Sequence, residues 1–188
     1  MGLIGSARNV HGFTMVELMV TVAVAATLLM IAVPSFRSML ATNQLNTAAN
    51  ELVGGLSEAR MEAIQRNAGA QFCSNSSTSN TTDTLGAQCS TSGGGAVVAT
   101  SGSVAAPVRA APAGLAAPVQ LSGDIVAIRF NGQGLGFKAG GTGTPYDSAV
   151  SGPVATVCST SLNSNNRIDI DMAAGSVVST STSTGSCP

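Results

Sequence analysis

The sequence predicts an α+β fold: a long N-terminal helix, its first half spanning a membrane, packed on a mainly antiparallel β-sheet head. Three observations carry this. Residues 18–33 hold no charge, and their only polar side chains are the hydroxyls of Thr21 and Thr27. Apolar residues then recur at spacings of three and four from Leu45 to Ala63. Beyond residue 68 the chain is rich in Gly, Ser and Thr and carries short alternating segments of strand type.

Taken in order, residues 1–12 read as a leader peptide, 13–67 as the helix and 68–188 as a head with two disulfides. The stretch 13–33 corresponds to about 31 Å of helix, which matches a hydrocarbon core of about 30 Å. Arg8 ahead of it suits a cytoplasmic N-terminus. Pro34 lacks an N–H and is expected to kink the helix without ending it. In the second half Leu45, Ala48, Leu52, Leu56, Ala59 and Ala63 form one apolar stripe, and Glu51, Glu58, Glu62 and Arg66 lie off it. Gly54-Gly55 marks a bend or a point of close packing, and Asn67 and Gly69 are stop signals.

In the head, residues 73–95 read as a polar surface loop and 105–118, rich in Ala and Pro, as loop or edge. Strands are expected at 96–100, 124–130, 136–138, 154–159, 167–172 and 176–180. "RIDIDM" alternates most cleanly, with Ile168, Ile170 and Met172 facing inward. In 124–130, Val126, Ile128 and Phe130 would share one face.

Four cysteines, Cys73, Cys89, Cys158 and Cys187, all follow the apolar run, and none forms a C-x-x-C pair. An even set in an exported head reads as two disulfides in an oxidising compartment. Of the three connectivities, Cys73–Cys89 with Cys158–Cys187 closes short loops and is the expected one.

Glu17 is the anomaly. A carboxylate at the start of a membrane span is costly unless it is paired or shallow. Cleavage after Gly12 would leave Phe13 as the first residue and create a new α-amino group, largely protonated at pH 7. That amine lies one helical turn from Glu17 and is poorly aimed at it along the same helix. A neighbouring subunit, shifted along a helical array, could bring its own amine to this carboxylate.

"GFTMVELMVTVAVAATLLMIAVPSFRSML" resembles the N-terminus of type IV pilins and of the pseudopilins of type II secretion. The resemblance implies cleavage between Gly12 and Phe13 by a prepilin peptidase, N-methylation of Phe13, an assembly role for Glu17 and a helix kink at Pro34. Within that superfamily, "LNTAANELVGGLSEARMEAIQRN" and "IRFNGQGLGF" resemble the FimT/GspH type, a pilin-like fold. The implied partners are other pilin or pseudopilin subunits, the prepilin peptidase, an inner-membrane assembly platform and the lipid of the bacterial inner membrane. A single-pass subunit with a periplasmic head, later carried into a pilus or pseudopilus fibre, is the implied location.

The residues argue against an enzyme, a cofactor or a metal centre. His11 is the only histidine and falls in the leader, which removes Ser-His-Asp and Cys-His arrangements from the mature chain. Asp169 and Asp171 read as a solvated strand face, with calcium as the alternative. "GQGLG" lacks the Lys-Ser/Thr of a phosphate loop and reads as a hairpin turn. Some FimT-type pilins bind DNA through a Gly-Arg-x-Arg tail; "GSVV" at 175–178 has no Arg there. The head carries Arg109, Arg129, Lys138 and Arg167 against Asp83, Asp124, Asp147, Asp169 and Asp171, four minus five or −1, which argues against DNA as a partner. The expected function is a minor subunit of a type IV pilus that primes assembly or forms the tip. The alternatives are an H-type pseudopilin of type II secretion and a DNA-uptake or adhesion receptor.

Overall fold

The computed structural model describes residues 12–141 and 143–188. The leader reading of 1–12 therefore lies, Gly12 apart, outside the described residues, as do Arg8 and His11. The chain divides into two compact units, residues 1–38 and 39–188. Helix α1 is Met15–Arg66 and continues through Pro34.

Both ends of α1 fall just inside the expected 13–67, and each has a local cause. At the start, the Thr14 hydroxyl accepts the Glu17 N–H at 3.2 Å, so Thr14 caps the helix. At the finish, Asn67 takes φ +46°, the Asn67 N–H bonds the Ile64 carbonyl, and the Ala68 N–H bonds the Ala63 carbonyl. That pair of bonds is the Schellman arrangement, with Asn67 in the left-handed position more often held by glycine.

In the second unit, α1 buries the expected stripe of Leu45, Ala48, Leu52, Leu56, Ala59 and Ala63, and with it Ala41, Ala49 and Gly55. Small residues at six of these nine positions let the strands come close. Two antiparallel sheets, where the sequence suggests one, complete the core. The strands of the first are β1 (Ala70–Phe72), β2 (Val97–Ser101), β3 (Val104–Arg109), β5 (Ile128–Phe130) and β6 (Gly136–Lys138), in the order β3-β2-β1-β5-β6. Those of the second are β4 (Val119–Leu121), β7 (Ala155–Ser159), β8 (Arg167–Ala173) and β9 (Val177–Ser183), in the order β4-β7-β8-β9. Phe72, Val97, Ile128 and Phe130 from the first sheet and Val157, Ile168, Ile170 and Met172 from the second meet the α1 stripe in one cluster.

The expected polar loop at 73–95 is largely helical. A 3₁₀ turn at Ser77–Asn80 leads into α2 (Thr84–Ser92), capped by the Asp83 carboxylate, which accepts the Gly86 N–H at 3.0 Å. Leu85 and Cys89 of α2 cover Val98 on the outer face of the first sheet, making a second small core with Cys73 and Ala96. Residues 104–109 form β3, at the sheet edge. The strand expected at 124–130 is regular only from Ile128. Before it, Ile125 and Ala127 are buried while Val126 is half-buried, so the inward row starts on the other parity. The reason is a junction: the Val126 N–H bonds the Val154 carbonyl just before β7 and joins the two sheets.

Candidate functional site

Among the described residues of the first unit, 12–38, every residue is exposed. The most apolar 18-residue window of α1 has a mean hydropathy of 2.4 and none of it is buried. Burying such a surface requires lipid or neighbouring chains. The helix is suited to lipid in its polar groups too. Thr21 and Thr27, the only hydroxyls from 18 to 33, donate to the carbonyls of Leu18 and Val24 at 2.9 and 2.8 Å. Neither leaves a polar atom unpaired in a bilayer. At Pro34 the helix gives up the bond to the Met30 carbonyl one turn earlier, yet runs on.

Phe13 and Glu17 stand at the start of this surface, Phe13 68% exposed. Glu17 is the third residue of the helix, and "TMVE" at 14–17 is a capping-box sequence, a signal the sequence reading passed over. An acid in the first turn also faces the positive end of the helix dipole. Helix capping thus accounts for part of the carboxylate's placement. No ion pair among the described residues includes Glu17.

The head's charged groups are mostly spent on one another. Arg109 donates to Glu58 at 3.0 Å and to the Glu51 carbonyl at 3.2 Å, tying β3 to α1. Arg167 pairs with Asp169 at 3.2 Å, and Thr156 donates to the same carboxylate at 2.5 Å. Arg129 on β5 engages both oxygens of Asp83 and, through Nε, the Gln71 side chain at 3.2 Å. The Arg129 hydrogen bonds, aided by the Gly86 N–H, lower the Asp83 pKa to about 2 against the opposing cost of burial. This network holds the 73–92 segment on the sheet, with buried Gln71 donating to the Asn80 carbonyl at 3.2 Å. Three of the four head cations outside α1 are therefore paired with carboxylates.

The other candidates take up structural duties. Asp171 accepts from Ser181, and among the described residues no cluster of three or more His, Cys, Asp or Glu could hold a metal ion. "GQGLG" is the β5–β6 turn: the Asn131 carboxamide accepts the Gln133 and Leu135 N–H groups, and Gly134, at φ +76°, sits against Arg60 and Ile64 of α1. Gly175, at φ +68°, accepts the Gly136 N–H and donates to the Tyr146 carbonyl, so the "GSVV" segment begins as a seam between the sheets. Cys73 is bonded to Cys89 and Cys158 to Cys187, and no described cysteine is free.

An exposed apolar helix opening on a capped acid, joined to a disulfide-bonded two-sheet head, defines a pilin or pseudopilin subunit. Residues 48–176, 129 of the 188, match the family model described as Type II transport protein GspH, and residues 7–33 match the prokaryotic N-terminal methylation motif. The chain belongs to the GspH family, which is structural rather than catalytic. No curated protein and no solved structure matches it. The apolar helix and the methylation motif fit a membrane-anchored pilin.

Proposed function

We propose that the chain is a minor structural subunit of a type IV pilus. It is inserted in the inner membrane as a precursor with its head in the periplasm. A prepilin peptidase cuts between Gly12 and Phe13, Phe13 is N-methylated, and an assembly platform draws the subunit into the fibre, where it primes assembly or occupies the tip. The observation that carries this reading is the exposed apolar segment 12–38 whose one acid, Glu17, sits in the first turn of α1 without a countercharge among the described residues. A neighbour's new amine supplies that charge, and neighbouring helices replace the lipid.

The pilus is favoured over other machines by the neutral Ser/Thr/Asn-rich head held by two disulfides, a surface built for an exterior. The family description favours a second reading, an H-type pseudopilin of type II secretion. A receptor for DNA has less support, because the head's charge is −1 and its cations are mostly paired. Deletion of the gene separates the first two. Loss of pili with secretion intact supports the pilus, and loss of secretion with normal piliation overturns it in favour of the pseudopilin. Mass spectrometry of the native subunit checks processing: a first residue of methylated Phe13 is expected, and a retained Met1 rules the fibre role out.

A further inference from the structure

We propose that the free edge of β9 is a docking site for an extended segment donated by another subunit; this rests on the fibre-subunit reading above. An open sheet edge offers unpaired N–H and C=O groups to any strand that can reach it, and proteins commonly blunt such edges with charge, proline, bulges or short length. Three of the four edges here are blunted. β3 carries Pro107 and Arg109 and has a register shift at Val97/Val98. β4 and β6 have three residues each, and Phe137 of β6 is bridged to Pro145. β9 has no such protection. Its seven residues, "VVSTSTS", include no charge and no proline, and they pair with β8 in unbroken register from Val177↔Ala173 to Ser183↔Arg167. Outside that ladder, among the described residues, the backbone of 177–183 bonds no other backbone group.

The edge is also held ready. At one end the Arg60 guanidinium donates to the Ser176 carbonyl at 3.0 Å. At the other, the Asn166 side chain bonds Gly185 in both directions at 2.9 and 3.0 Å, and Cys187 is bonded to Cys158 of β7. A strand fixed at both ends has little ordering entropy left to lose on pairing.

Side-chain rows indicate what would fit. Val178, Thr180 and Thr182 lie opposite Met172, Ile170 and Ile168, so they share the inner face of the sheet. Those three partners are buried, whereas Thr180 and Thr182 are exposed: the sheet extends one strand past the surface that α1 covers. Beside this uncovered row is a cavity of about 270 Å³ with Val53, Leu56, Phe130 and Val178 as its apolar wall and Arg60 at its polar side. No carboxylate pairs with Arg60 among the described residues. The occupant is therefore an extended segment that lays its backbone along β9, drops an apolar side chain into the cavity and brings a carboxylate to Arg60. This is strand addition, in which the backbone provides the adhesion and the pockets the selectivity.

The test uses the full-length chain in its own cells, with a photo-crosslinking amino acid at Thr180 and, as control, at exposed Ala87 on α2. A Thr180 adduct with another fibre subunit, mapped to an extended segment of it, is expected. The double variant Ser179→Lys/Ser181→Lys, at exposed positions, should cut that adduct on the order of ten-fold and leave the mature N-terminus at Phe13. Amide exchange over 177–183 should slow by on the order of ten-fold in the fibre relative to the detergent-solubilised chain. The proposal is overturned if processed, fibre-resident subunits give no Thr180 adduct above the Ala87 control. It is equally overturned if the adduct maps to a helix or to β9 of a second copy. A chain that retains Met1 and stays out of fibres instead sinks the fibre reading, and this proposal with it.

Discussion

Glu17 has two physical roles available, and substitutions at the helix start separate them. As the third residue of a capped helix it supports the first turn; buried in the proposed fibre, it would recruit a positive charge. Thr14→Ala removes the cap, a loss of about 1 kcal/mol, and leaves the carboxylate in place. Glu17→Ala removes the charge partner, and breaking a desolvated pair costs about 3 kcal/mol or more. The expected outcome is therefore asymmetric: incorporation into fibres, measured by immunoblot of sheared filaments, falls about ten-fold or more for Glu17→Ala and little for Thr14→Ala. Equal losses would assign Glu17 to helix capping alone. A second residue-scale prediction concerns acid. The Asp83 pKa is lowered to about 2 from 3.8, so its contribution is complete above pH 4 and lost as pH falls through 2. Asp83→Asn keeps a good cap for α2 and removes the charge. Its side chain is 49% exposed, which limits the effect, after solvent screening, to on the order of 1 kcal/mol. Thermal unfolding by circular dichroism should show the wild type more stable than Asp83→Asn at pH 5, and the gap closing at pH 2.

At the scale of elements, the adjacent glycines of α1 make opposite predictions. A Cβ on Gly55 would come within 2.8 Å of the Phe72 ring and 3.3 Å of the Gly95 carbonyl oxygen. A Cβ on Gly54 would meet only the end of the Arg109 side chain at 3.2 Å. Gly55→Ala should lose about 1–3 kcal/mol to overpacking. Gly54→Ala, gaining up to about 1 kcal/mol of helix propensity, should be neutral or stabilising. Urea unfolding midpoints of the two variants test this. The close-packing half of the sequence reading of Gly54-Gly55 thus has a specific partner in Phe72. That partner was not legible, because β1 is only "AQF": three residues show no alternation, yet β1 is the central strand of the first sheet. α2 escaped for a related reason. In "TLGAQCSTS" only Leu85 and Cys89 face the sheet, too few apolar positions for a helical period to stand out among Ser and Thr. "RIDIDM", alternately buried along its six residues, was legible because its pattern and its burial have the same period.

For the whole molecule, the methylation motif was readable because its chemistry is local: a glycine, a phenylalanine, an acid and an uninterrupted apolar run lie within consecutive residues. The head's surface was not, because the Arg129–Asp83 clamp joins residues 46 apart and the β9 edge depends on strand order. The division into two units leads to the last prediction. Every described residue from 12 to 40 is exposed, and the first buried side chain of α1 is Ala41, so among the described residues the core is assembled from 41 onward. Removing residues 1–38 takes away, among the described residues, no buried side chain; it leaves a new helix start at Met39 whose first N–H groups lack a cap, a cost of about 1 kcal/mol. The chain truncated to 39–188 should therefore fold in an oxidising compartment, remain soluble without detergent and form both disulfides. Its urea midpoint should correspond to within about 1 kcal/mol of the full-length chain in micelles. In that truncated chain the Cys158→Ser/Cys187→Ser pair should lose about 3 kcal/mol, since the bond closes a 29-residue separation and fixes the tail across the second sheet. Aggregation of the truncated chain, or mispaired cysteines in its peptide map, would show that the apolar segment is needed for the head to fold.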